Sequence, residues 1–239
     1  MLENIEAVIV HHRRLLQGLF FGIIEMSGLL LYANANSFQS YTQPQQLPLS
    51  LLALSTVLIF TCWYVIRTTS ARSKTAPIVI LLTIAVILVS MPKLPALVNV
   101  INSLAIIVLL LVRYLPQWFD NELGIVLLAL VLANLAAGNF LLTHDYLSTS
   151  YLTTIILPLL LFNYFFLSQR AFKFLPLPIG LAFLTLAWLL YLRLSLVVVI
   201  FTVIILFIWF VIQTMWRPSP SRGLLIAALL QTILFVCSR

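Results

Sequence analysis

Long apolar runs fill most of this sequence, and no other feature constrains the fold as tightly. They extend from about Leu15 to Ala33, Leu47 to Ile66, Ala76 to Met91, Leu94 to Val112, Leu123 to Leu142, Tyr151 to Leu167, Leu175 to Leu192, Leu194 to Met215 and Gly223 to Val236. A helix needs roughly 20 apolar residues to cross the hydrocarbon core of a bilayer. Inside lipid the backbone must satisfy its own hydrogen bonds, and continuous apolar runs do this as helices. The expected fold is all-α: a polytopic integral membrane helical bundle of about 8–9 transmembrane helices.

Composition removes the alternative. Of 239 residues 63% are hydrophobic and 8% charged, with mean hydropathy +1.15. Soluble domains carry about 25% charged residues, so this chain cannot cover a water-facing surface. No linker separates a second domain, so residues 15–239 read as one transmembrane domain. Residues 1–14 read as a short amphipathic cytoplasmic segment: Leu2, Ile5, Val8 and Ile9 share a face, opposed by Glu3, Glu6 and the cluster His11-His12-Arg13-Arg14. It is expected to lie on the membrane surface before the chain turns inward. It lacks the small-residue cleavage site of a signal peptide.

The basic residues orient the chain. With the N-terminus in the cytoplasm, Arg13, Arg14, Arg67, Arg72, Lys74, Arg113, Arg170, Lys173, Arg217 and Arg222 fall inside, and Lys93, Arg193 and Arg239 outside. That asymmetry follows the positive-inside rule. It also assigns the +7 net charge to topology and anionic headgroups, not to nucleic acid. The expected location is a bacterial inner membrane, with the bilayer and further membrane or cytoplasmic subunits as partners.

Two hairpins are tight. Pro92 and Pro95 predict a turn in "SMPKLPALV", and "YLRLSLVV" reads as a turn or a longer kinked helix. The order of runs and breaks is compatible with a weak repeat of four and four helices, 15–118 and 119–222, although generic hairpins imitate this pattern. Trp63, Tyr64, Tyr114, Trp118 and Trp216 near run ends read as interfacial aromatics. Cys62 and Cys237 lack metal-ligand spacing and read as inert thiols.

The unusual residue is Glu25, about ten positions into the first run of "GLFFGIIEMSGLLL". A charged carboxylate at that depth costs at least ~2.5 kcal/mol. It must be protonated, paired, or beside water. Gly18, Gly22 and Gly28 lie close to its stripe, so that face is expected to pack against another helix. Ala137 and Gly138 give the fifth run a similar packing face. Glu25 reads either as a proton- or cation-responsive carboxylate or as a protonated residue that joins helices. Asn99, Asn102, Asn134, Asn139 and Asn163 are candidate members of the same intramembrane polar site, and Gln231 lies in the last run. Amides of this kind join helices at about 0.6–2 kcal/mol each. Pro158 is expected to interrupt the sixth run.

Enzyme signatures are missing. There is no HExxH, no phosphate-binding loop and no paired aspartate motif. His144-Asp145 has no identifiable serine partner, and Asp120, Asn121 and Glu122 fit a helix start. No metal or cofactor is expected; a buried haem would need histidines that the runs lack. The expected function is non-catalytic: a permease-like transporter or the membrane subunit of a multi-protein complex. The alternatives are a sensor working with a partner chain, or a membrane-embedded enzyme using Glu25 or His144-Asp145.

Overall fold

The computed structural model describes residues 2–33, 47–69, 75–115, 122–144, 155–167, 172, 176–192 and 194–237. Residues 34–46 and 145–154, Trp118, Asp120, Asn121, Arg72, Lys74, Arg170, Lys173, Arg193 and Arg239 lie outside the described residues, as do the side chains of residues 2–12, Glu122 and His144.

Each apolar run becomes a helix. The elements are α1 (Leu2–Ala33), α2 (Leu47–Thr68), α3 (Thr75–Ser90), α4 (Ala96–Tyr114), α5 (Glu122–His144), α6 (Ile156–Phe165), α7 (Pro176–Tyr191), α8 (Leu196–Val211) and α9 (Pro220–Cys237). No strand occurs among the described residues. Among the described residues six helical segments are long and apolar enough to cross a membrane: Arg13–Tyr32, Leu47–Thr68, Thr75–Lys93, Ala96–Tyr114, Leu196–Trp216 and Pro220–Cys237. The apolar stretches Leu123–Asn139, Ile156–Phe165 and Pro176–Tyr191 are shorter. The described residues thus support a polytopic all-helical bundle with six candidate spans.

Local chemistry sets the boundaries. Pro176 and Pro220 open α7 and α9, where a missing N–H leaves no helical bond unmade. Pro158 does not interrupt α6; it lies in the first turn of a helix that begins at Ile156. The hairpin after α3 is a 3-10 turn, Met91–Lys93, closed by Asn99, whose Nδ2 donates to the carbonyls of Met91 (2.9 Å) and Leu94 (3.1 Å). Ser195 separates α7 from α8, its Oγ accepting from Val198 N at 3.4 Å. The change of direction expected after residue 14 is absent, because α1 is continuous through Arg13 and Arg14.

The bundle is organised around α1, which packs mainly on α2 and α9 and also touches α5. Glycines allow the first contact. A Cβ at Gly18 would lie 3.3 Å from both Thr61 Cγ2 and Tyr64 Cδ1, and one at Gly22 would strike the Val57 carbonyl oxygen. The Thr61 hydroxyl sits 3.2 Å from the Gly18 carbonyl oxygen and 2.7 Å from that of Val57, tying the helices together. Gly28 gives the same close approach to α9: its Cβ would be 2.9 Å from Thr232 Oγ1. Thr232 donates to the Ile24 carbonyl at 3.4 Å.

Aromatic rings fill the interior beside this contact. Phe21 of α1 meets Phe60 of α2 (6.2 Å between centroids), Phe60 meets Phe162 of α6 (6.2 Å), and Phe162 meets Phe235 of α9 (6.4 Å). Trp63 joins them, edge-on to Phe166 at 4.7 Å. Trp63 and Tyr64 are thus buried core residues, not interfacial ones. Tyr114 and Trp216 are exposed.

Gly22→Ala should lower the thermal unfolding midpoint in detergent by an amount equivalent to about 1–3 kcal/mol, the usual cost of overpacking. Gly180→Ala, where a Cβ meets no atom within 4 Å, should be neutral or stabilising by up to ~1 kcal/mol. Equal melting of the two variants would contradict the packing role of Gly22.

Candidate functional site: a buried polar layer

Two register relations locate Glu25. On α2, Gly18 lies opposite Thr61, Tyr64 and Val65, and Gly22 opposite Val57 and Thr61, so the helices are antiparallel. One more turn along α1 brings Glu25 level with Ser55 and Thr56. On α9, Gly28 meets Thr232. The Tyr64 hydroxyl reaches both Gln17 Oε1 (3.3 Å) and the Ser221 carbonyl oxygen (3.4 Å). Gln17 and Gly28 are eleven residues apart, as are Ser221 and Thr232, so α1 and α9 run parallel at a constant offset. Glu25 is therefore level with Leu229, and Gln231 sits less than one turn further along.

Glu25 is 0% exposed, and among the described residues neither carboxyl oxygen has a hydrogen-bond partner. Gln231 is 1% exposed, and neither its Nε2 nor its Oε1 has one. On α1 the Glu25 stripe lies between the faces that meet α2 and α9. On α9 Gln231 lies beside Ala227 and Ala228, on the buried side. Both side chains are enclosed within the bundle.

The layer extends through α2 to α4. Asn102 is fully buried, and its Nδ2 lies 3.5 Å from Ser55 Oγ. Ser55 and Thr56 donate their hydroxyls to the Leu52 carbonyl at 2.9 and 2.8 Å. Asn102 Oδ1 has no partner among the described residues. At 1.5 Å per residue, Glu25, Ser55, Asn102 and Gln231 all fall within about 5 Å of the middle of their helices, displaced to the same side.

The other candidates are placed differently. Asn99 closes the α3–α4 turn, away from mid-helix. Asn134 is exposed on the outer surface of α5. Asn139 is buried next to Gly138, whose Cβ would lie 3.4 Å from Val98 of α4, and Ala137 is buried on the same helix. Asn163 donates to the Leu159 carbonyl of its own helix at 2.9 Å. The structure thus brings Glu25 and Asn102 to one level, and adds Gln231, Ser55 and Thr56. A signal for Gln231 was present. Gly223, Ala227 and Gln231 form a small-small-polar stripe on α9, matching Gly18, Gly22 and Glu25 on α1.

Chemically the layer offers a carboxyl group and two amides with unmade hydrogen bonds. A neutral carboxylic acid and a primary amide are complementary, each with one donor and one acceptor to exchange. Among the described residues there is no group of three or more His, Cys, Asp or Glu side chains able to hold a metal ion. The thiol of Cys62 lies 3.4 Å from Thr83 Oγ1, between α2 and α3.

No protein-family model, curated protein or solved structure matches this chain.

An unsatisfied buried polar group costs about 1–3 kcal/mol, and an apolar replacement of similar size removes that cost. Glu25→Leu should therefore raise the unfolding midpoint in detergent, while Glu25→Gln changes it little. A marked fall in Glu25→Leu would make Glu25 a structural joint between helices.

Proposed function

We propose that this protein is a non-catalytic, permease-like membrane protein in which Glu25 is the proton-carrying residue. The N-terminus is assigned to the cytoplasm and the membrane to the bacterial inner membrane. One observation carries the reading: an acid near the middle of a span, fully buried, whose oxygens are bonded to no described residue. Structural acids in helix contacts hold partners; this one has none among the described residues, which costs about 1–3 kcal/mol. Ionisable residues in spans mark proton and ion pathways where they face the bundle interior.

The resting state in this scheme holds Glu25 neutral. Release of its proton leaves a carboxylate that low-dielectric surroundings do not tolerate. The helices bounding it must then rearrange, or a cation must enter. That requirement couples proton movement to a change in the α1–α2–α9 contact, which is the minimum a proton-driven permease needs. The polar groups of Asn102 and Gln231 line the region through which such a change passes.

The test is electrical. Purified protein in liposomes on a solid-supported membrane is exposed to solute mixtures of successive chemical classes under a pH gradient. Wild type should give a transient current with one class, and Glu25→Gln, equally well folded, should lose at least about 90% of it, in line with removal of an obligatory proton carrier. Full current in Glu25→Gln would remove the residue from the mechanism. Absence of current with every class, together with a stoichiometric partner retained in mild detergent, would instead make the chain a subunit of a larger assembly.

A further inference from the structure

The same register that places Glu25 also gathers arginines at the other end of the α1–α2–α9 contact. Tyr64 ties Gln17 to Ser221 there. One turn beyond Gln17 on α1 are Arg13 and Arg14. One turn beyond Tyr64 on α2 is Arg67. One turn back from Ser221, in the α8–α9 connection, is Arg217, and Arg222 follows Ser221 directly. Arg14 lies within electrostatic reach of Tyr64. Arg13, Arg217 and Arg222 are exposed. Three chain segments thus present their arginines at one level.

Among the described residues no carboxylate lies at the level of Arg13, Arg14, Arg217 and Arg222. Glu25 is the only acid whose side chain is described, and it lies eleven residues from Arg14, about 16 Å deeper along α1. Cationic groups gathered at one level favour an anion among them. The turn adds a second indication. Arg217 is held in the left-handed region (φ 45, ψ 63), where a glycine would serve the backbone at less cost. The turn itself does not require an arginine side chain. Ser219 and Ser221, with hydroxyls 3.5 Å apart, add neutral donors beside it. Met215 and Trp216, immediately before, are 81% and 71% exposed. An indole at the end of a span marks the headgroup level, and an apolar surface beside a cationic cluster suits a ligand that carries both a phosphate and hydrocarbon.

We propose that this arginine cluster is a binding site for the phosphate of an anionic phospholipid, with Arg13, Arg14, Arg217 and Arg222 as its cationic donors and Met215 and Trp216 against the acyl chains. Arginine suits the task because its planar fork matches two phosphate oxygens at once. The site is separate from the polar layer and does not depend on the role of Glu25.

The test uses intrinsic tryptophan fluorescence to follow thermal unfolding of the full chain in neutral detergent, during titration with phosphatidylglycerol. The midpoint should rise saturably with phosphatidylglycerol and not with phosphatidylcholine. Arg14→Gln combined with Arg217→Gly should weaken the apparent affinity at least about tenfold, the worth of one charge-assisted contact. Glycine at 217 keeps the left-handed turn available while removing the charge. Arg113→Gln, a cationic residue at the same end on α4, should leave the titration unchanged. Should the double variant not fold, Arg13→Gln, on an exposed position, reports the same loss of affinity. The proposal is overturned if the variants titrate like wild type, if phosphatidylcholine acts equally, or if inorganic phosphate alone reproduces the whole shift.

Discussion

The structure depends on how closely α1 and α2 approach. At Gly22 there is no room for a methyl group against the Val57 carbonyl. In lipid, apolar contact between helices yields little on its own, because acyl chains offer a side chain the same environment. What is left is close packing and the few polar contacts it brings within reach, here the Thr61 hydroxyl on the Gly18 carbonyl. Once α1 and α2 are seated, Phe21 and Phe60 meet, and their rings define the wall against which Phe162 of α6 and Phe235 of α9 pack. The small residues of α1 thus determine where the interior is, and Glu25 shares their stripe.

The two ends of this contact have opposite character. Toward the polar layer, groups are enclosed, short of hydrogen bonds and surrounded by rings. Toward the arginines, Tyr64, Gln17 and Ser221 form a part-buried hydrogen-bonded junction. Any movement of α9 against α1 that accommodates a change of charge on Glu25 acts on that junction too, because both lie on the same pair of parallel helices. Lipid bound among the arginines would hold the far end still while the middle responds.

Much of the architecture was legible in the sequence because membrane helices announce themselves by unbroken apolarity. Prolines and short polar breaks placed the ends of α4, α7 and α9 to within a few residues. The same uniform apolarity hides which face is inside. Along α5 and α9 a lipid-facing leucine and a buried one look alike, so Asn134 and Asn139 could not be sorted, and only the latter is buried. Trp63 and Tyr64 near a helix end resemble interfacial aromatics; their burial follows from the neighbouring α1 and α6, which local sequence does not encode. Asn99 was legible as polar but not as the closure of a turn, since that depends on where the Met91 carbonyl points. The number of spans is less legible, because an apolar run and a helix of spanning length are different things: among the described residues of the sixth run, the helix is the ten residues Ile156–Phe165.

The central claim is that Glu25 sits in the bundle interior as a neutral acid with no strong partner. Infrared difference spectroscopy of the reconstituted protein, wild type minus Glu25→Gln, addresses it directly. The account predicts a protonated carboxyl C=O band at neutral pH that disappears in Glu25→Gln, at a frequency typical of a weakly hydrogen-bonded acid and shifting when Gln231 is replaced by Leu. A carboxylate band in its place, sensitive to bulk pH in the ordinary carboxylate range, would contradict it by putting Glu25 in contact with water.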